Sequence, residues 1–126
     1  MHRREALIEY FVKAKQQPDY TTFKNALNTD RYDLTDLFLR QGYDLNAKTA
    51  QSSFFFATIN SLTKAVAQAD TAEIEKFEKR LKYLFDKGLD PYLEDDYKRN
   101  SFFAVKRIKD KALKEKVDRI VKRIVN

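Results

Sequence analysis

Two carboxylate clusters are the places where this chain could do chemistry: Glu94-Asp95-Asp96, and Asp30, Asp33 and Asp36 at intervals of three residues. A calcium loop needs alternating oxygen ligands and a glycine, and the first cluster has neither. The second surrounds a predicted helix start, where carboxylates cap free N–H groups and meet the positive end of the helix dipole. Neither cluster is read as a metal site. Nucleophilic and acid–base chemistry lack members, because the one histidine is His2 and cysteine is absent. Triads, histidine-based proton transfer and Cys/His zinc sites are excluded with them. The two glycines, Gly42 and Gly88, stand alone and form no phosphate-cradling loop. No catalytic residue, metal or cofactor is assigned, and the chain is not expected to be an enzyme.

Charge is the other chemical feature. Residues 98–126 carry eleven Lys or Arg against three acids, a net of +8, which leaves −2 for the rest of a chain of net +6. Lys106, Arg107, Lys109, Lys111, Lys114, Lys116, Arg119, Lys122 and Arg123 could follow a phosphate backbone. They could equally meet an acidic protein, or form the solvated face of a terminal helix. No aromatic residue follows Phe103, so this end by itself offers no base-stacking platform, and nucleic acid is the least favoured of the three.

Helices must position these residues. A chain of 126 residues with two Gly and two Pro has too little turn punctuation for an all-β domain, and its apolar and charged content is globular. Apolar spacing predicts a helix over about Arg3 to Gln16, then a short one through Phe23, Ala26 and Leu27. Asp30 is read as the N-cap of a third, with Leu34, Leu37 and Phe38 inward. A longer helix after Ser52 or Ser53 presents Phe55, Ile59, Leu62 and Val66, with Ala69 in phase. Asp70 with Glu73 reads as a capping box for the next helix, which turns Ile74, Phe77, Leu81, Leu84 and Phe85 inward. Helices over about 100–109 and 111–125 finish the chain, the last with Leu113, Val117, Ile120, Val121 and Ile124 on one stripe. No stretch is apolar for long enough to span a bilayer, and Glu5 and Glu9 interrupt any signal-peptide pattern after Met1-His2-Arg3-Arg4. Without cysteine, a cytoplasmic setting and no membrane partner are expected.

Each glycine follows a predicted helix in a matching context, Leu39-Arg40-Gln41-Gly42-Tyr43-Asp44 and Phe85-Asp86-Lys87-Gly88-Leu89-Asp90. A left-handed residue is needed at such a helix end, so both glycines are expected at positive φ. Gly42-Tyr43-Asp44-Leu45-Asn46-Ala47 and Gly88-Leu89-Asp90-Pro91 resemble the Gly–apolar–Asp turn of the ankyrin repeat. Thr21-Thr22-Phe23, Ser52-Ser53-Phe54 and Asn100-Ser101-Phe102 resemble its degenerate T-P-L signature, with Phe for Leu. Phe23 to Gly42 is 19 residues and Gly88 to Phe102 is 14, as a period of about 33 requires, and Gly42 to Phe54 is 12. Phe54 to Gly88 is 34 residues, which lengthens the middle helix pair around Asp70. No T-P and no signature histidine survive, and Lys98 replaces the glycine of the last finger.

The resemblance implies an all-α stack of helix pairs forming one domain over 1–126: an N-terminal capping helix over 1–18 and three degenerate repeats over 19–126. It implies a monomeric, non-enzymatic module that binds another protein as an adaptor or inhibitor, an immunity protein against a bacterial toxin being one such case. Finger tips at Ala47–Gln51 and Leu93–Arg99 would carry the contact residues Lys48, Gln51, Tyr92, Glu94, Asp95, Asp96, Tyr97 and Arg99. Among three consecutive phenylalanines the resemblance buries Phe54 and part of Phe55. Phe56 is left facing the concave side as a candidate anchor.

Overall fold

The computed structural model describes residues 19–46, 53–92, 94, 100 and 102–125. The helix expected over Arg3–Gln16 lies outside them, as do most of the two finger tips. Among the described residues every regular element is helical, and the chain divides into two compact units between Leu45 and Asn46.

The first unit contains α1 (Tyr20–Asn28) and α2 (Tyr32–Arg40), packed against each other. Asp19 starts α1, its carboxylate accepting the Thr22 N–H at 2.8 Å, which also holds that carboxyl below its ordinary pKa. Phe23, Ala26 and Leu27 are buried from α1, and Leu34 and Phe38 from α2; Leu37 is half-buried. Asp30 is not the N-cap of α2. It is a left-handed residue at φ 57° that closes α1, and Arg31 occupies the N-cap position without a side-chain cap. Asp33 is bound instead by the Arg31 guanidinium at 2.9 Å, a pair that depresses its pKa. Tyr43 folds back after Gly42 and stacks on Phe23, ring centroids 4.4 Å apart and nearly parallel. Burial, with weaker repulsion from Tyr20, Asp19 and Asp44, pushes the Tyr43 phenol up to about 12.

A raised phenol pKa means the folded chain keeps a proton that the unfolded chain releases near pH 10, so stability is lost as pH rises from about 10 to about 12. Tyr43→Phe should remove a step near pH 12 from an ultraviolet tyrosine titration and flatten that loss. A titration unchanged by the substitution would show the phenol to be solvated.

The second unit is built from α3 (Ser53–Ala67), α4 (Thr71–Asp86), the single turn α5 (Phe103–Lys106) and α6 (Lys111–Val125). The long pair expected around Asp70 is present, α3 and α4 lying against each other, and α6 packs on both of them and on α5. The core is Phe54, Phe55, Ile59 and Leu62 from α3, Leu81 and Leu84 from α4, Ala104 and Val105 from α5, and Val117 and Val121 from α6. Ile74, Phe77 and Phe85 are half-buried rather than inward, and the Phe77 ring has the Lys76 ammonium 5.2 Å and the Arg80 guanidinium 5.0 Å from its centroid. Thr58 sits in the core because its hydroxyl donates to the Phe54 carbonyl at 2.6 Å. The helix expected over 100–109 is only the turn Phe103–Lys106, since residues 108–110 run non-helically into the next cap.

Four helix ends close in one way. After α2 and α4, Gly42 and Gly88 both have φ 98°, with Tyr43 N–H donating to the Phe38 carbonyl and Leu89 N–H to the Leu84 carbonyl, each at 3.0 Å. After α1 and α3 the same 6→1 bond is made by Arg31 to Ala26 and by Asp70 to Ala65, with Asp30 and Ala69 left-handed. All four are Schellman turns. At Asp70 the carboxylate caps α4 through the Glu73 N–H, while the Asp70 N–H is taken by the turn rather than by a reciprocal capping box.

The substituent at the left-handed position should therefore set the sign of a stability change. A Cβ on Gly88 would meet nothing within 4 Å, so Gly88→Ala should cost only the backbone strain, about 1 kcal/mol. Ala69→Gly should stabilise by about 0.5 kcal/mol, relief of that strain offset in part by greater freedom of the unfolded chain. Urea titration of both variants checks the pair, and equal signs would contradict the assignment.

Candidate binding groove

A surface groove of the second unit is assembled from its glycine turn outward. Gly88 reverses the chain, Leu89 returns into the core, and Asn46 ties the turn down: its amide donates to the Gly88 carbonyl at 2.9 Å and its carbonyl accepts the Asp90 N–H at 2.8 Å. Asp90 in turn accepts the Tyr92 N–H at 2.9 Å across the buried Pro91. This chain of bonds delivers Tyr92 to the surface in a fixed place. Tyr92 is 62% exposed and is the one large apolar side chain classed as exposed among the described residues.

Its ring rests on Phe102, centroids 5.3 Å apart, and Phe102 reaches the buried Phe55 at 6.3 Å. Asn100 sets Phe102, its side-chain oxygen accepting the Phe102 N–H at 3.0 Å and its carbonyl accepting the Phe103 N–H. Asp110 caps α6 through the Leu113 N–H, and so fixes where Lys111 and Lys114 begin. Between Tyr92, Asn100, residues 102–106 and α6 lies an open groove of about 660 Å³. Tyr92, Phe102 and Val105 give it an apolar floor, and Lys106, Lys111 and Lys114 stand on its rim. A second cleft, of about 520 Å³ between α4 and α6, carries mixed charge and is crossed by an Arg123–Glu78 ion pair at 3.3 Å.

Of the residues named from the sequence, Tyr92 is brought into the groove. Glu94 is exposed, and Lys48, Gln51, Asp95, Asp96, Tyr97 and Arg99 lie outside the described residues. Phe56 is half-buried, and the Arg107 guanidinium covers its ring at 5.4 Å from the centroid. Its counterpart Ala104 is buried while Asn25 is exposed, so that position has no common environment in the three segments. The lysines of the last helix were visible in the sequence as a basic face; their meeting with Tyr92 and Phe102 was not. Asp90-Pro91, a side-chain-capped turn that throws the next residue outward, was the available signal. Compared with family models, curated proteins and solved structures, the chain matches none, and the groove must be read from its own residues.

Proposed function

We propose that this chain is a non-enzymatic protein-binding module, an adaptor or inhibitor dedicated to one partner, whose contact surface centres on Tyr92. An immunity protein neutralising a toxin is one form such an inhibitor takes. The observation that carries the reading is Tyr92 itself, an aromatic ring held from below by Phe102 and from behind by the Asn46–Asp90 bonds, yet exposed. A large side chain fixed before binding loses little entropy on contact, and aromatic residues are enriched among binding hot spots. The helix pairs 20–40 and 53–86, each closed by a left-handed glycine, support reading each of these segments as an ankyrin-like repeat. Such a repeat places binding on turns and fingers, and Tyr92 follows the second turn.

Affinity capture from native lysate, read by mass spectrometry at low and high salt, tests the proposal. A specific protein should be retained by the wild type and fall about tenfold with Tyr92→Ala, with unfolding temperature nearly unchanged. Equal capture by the variant would remove Tyr92 from the contact surface. Nucleic-acid binding through the basic last helices is the second reading, favoured by the aromatic pair Tyr92 and Phe102 standing beside lysines. It requires capture of nucleic acid with affinity falling steeply as salt rises.

A further inference from the structure

We propose that the groove takes an acidic peptide segment of the partner, with one large apolar side chain seated on Tyr92, Phe102 and Val105 and flanking carboxylates on Lys106, Lys111 and Lys114. The inference rests on the protein-binding reading above and names the chemistry of the occupant. Lys111 and Lys114 are three apart on α6 and so project to one side, and Lys106 lines the same groove from α5. None of the three is ion-paired among the described residues. The fourth lysine of the groove, Lys122, is already held by Asp118 at 3.0 Å, which leaves Glu115 as the lining's other acid. Four lysines against two acids give the lining a net charge of +2 around an apolar floor.

That combination selects among ligands. A purely acidic strand would leave the floor of Tyr92, Phe102 and Val105 unused, and an apolar peptide would leave three ammonium groups uncompensated. A nucleic-acid backbone carries phosphates at regular intervals and would bring some of them against Glu115. A peptide can alternate carboxylates with an apolar anchor and match both parts. The volume of about 660 Å³ accommodates the side chains of a short segment, in the range of ordinary ligand pockets. Charge complementarity of this kind speeds association and sets which partner is accepted.

Selection from a random dodecapeptide phage library against the intact chain tests the proposal, followed by fluorescence anisotropy on synthetic copies of the enriched peptides and on an oligothymidylate. The enriched peptides should be net acidic with a recurring aromatic or large aliphatic residue. Their affinity should fall about tenfold with the exposed double variant Lys111→Glu, Lys114→Glu and several-fold with Tyr92→Ala, circular dichroism unchanged. A charge-swapped peptide, Lys for each acid, should prefer the double variant to the wild type. Neutral or basic enrichment, or affinity undiminished by the double variant, overturns the inference. If such peptides instead lose affinity with Phe56→Ala, protein binding stands and its site lies elsewhere. No enrichment, or binding of oligothymidylate alone, overturns both the inference and the protein-binding reading.

Discussion

Phe55→Ala should destabilise the chain by about 3 to 5 kcal/mol in urea unfolding, a large part of the stability of a domain this size. Phe55 is 0% exposed in α3, and its ring is the inner end of the aromatic line that runs through Phe102 to Tyr92. Removing it deletes buried apolar surface and leaves a cavity that the helices around it can only partly fill. The same cut at Phe77 should cost about 1 to 2 kcal/mol, because that ring is half-buried on α4 and shared with the cations of Lys76 and Arg80. The comparison decides whether α3 is the centre of its unit. Equal costs at the two positions would mean that it is not. Because Phe102 leans on Phe55, the variant should also weaken any binding that depends on Tyr92.

The difference between these two phenylalanines shows what periodicity can and cannot say. Helical spacing placed both Phe55 and Phe77 inward, and it does so for any residue in phase with a stripe. How wide an arc of a helix is covered depends on how many neighbours it has. α3 meets α4, α5 and α6, so Phe54 and Phe55 are both buried although successive residues are turned by about 100°. α4 meets α3 and α6, and its flanking residues Ile74, Phe77 and Phe85 remain half-buried. The two glycine turns were legible because a left-handed backbone demands glycine so strongly. Asp30 and Ala69 adopt the same conformation with no such signal, and the Asp30 side chain, a good N-cap type, pointed to the wrong role. Asp19 and Asp110 also cap helices, but Asp19 follows a proline and Asp110 sits inside a charge-rich run, so residue type alone does not single either out. The groove was the least legible part, since it needs three segments, 90–92, 100–106 and 111–125, to converge. Nothing in the order of residues along any one of them encodes that meeting.

Val117→Asp should cost on the order of 4 kcal/mol at neutral pH, and the deficit should shrink as pH falls. Val117 is 0% exposed, one turn before the equally buried Val121, on the face of α6 that packs against α3, α4 and α5. Lys116, Arg119 and Lys122 lie off the buried stripe and are exposed, while Lys114, one turn before Val117, borders the stripe and is exposed too. A carboxylate introduced at the fully buried Val117 would lose its hydration, and its folded-state pKa would rise above the unfolded value near 4. Between those two values the folded chain binds a proton that the unfolded chain does not, so stability falls with rising pH in that window. The penalty is complete above it and relieved below it. Arg119→Asp, two residues before Val121 and so on the exposed face, should change stability by no more than about 0.5 kcal/mol. Guanidinium-chloride titrations of both variants at neutral and acid pH make the comparison. A mild, pH-independent effect of Val117→Asp would mean that α6 is only loosely held on the rest of its unit. Lys111 and Lys114 would then have no fixed position beside Tyr92, and a groove that depends on their placement could not discriminate among ligands.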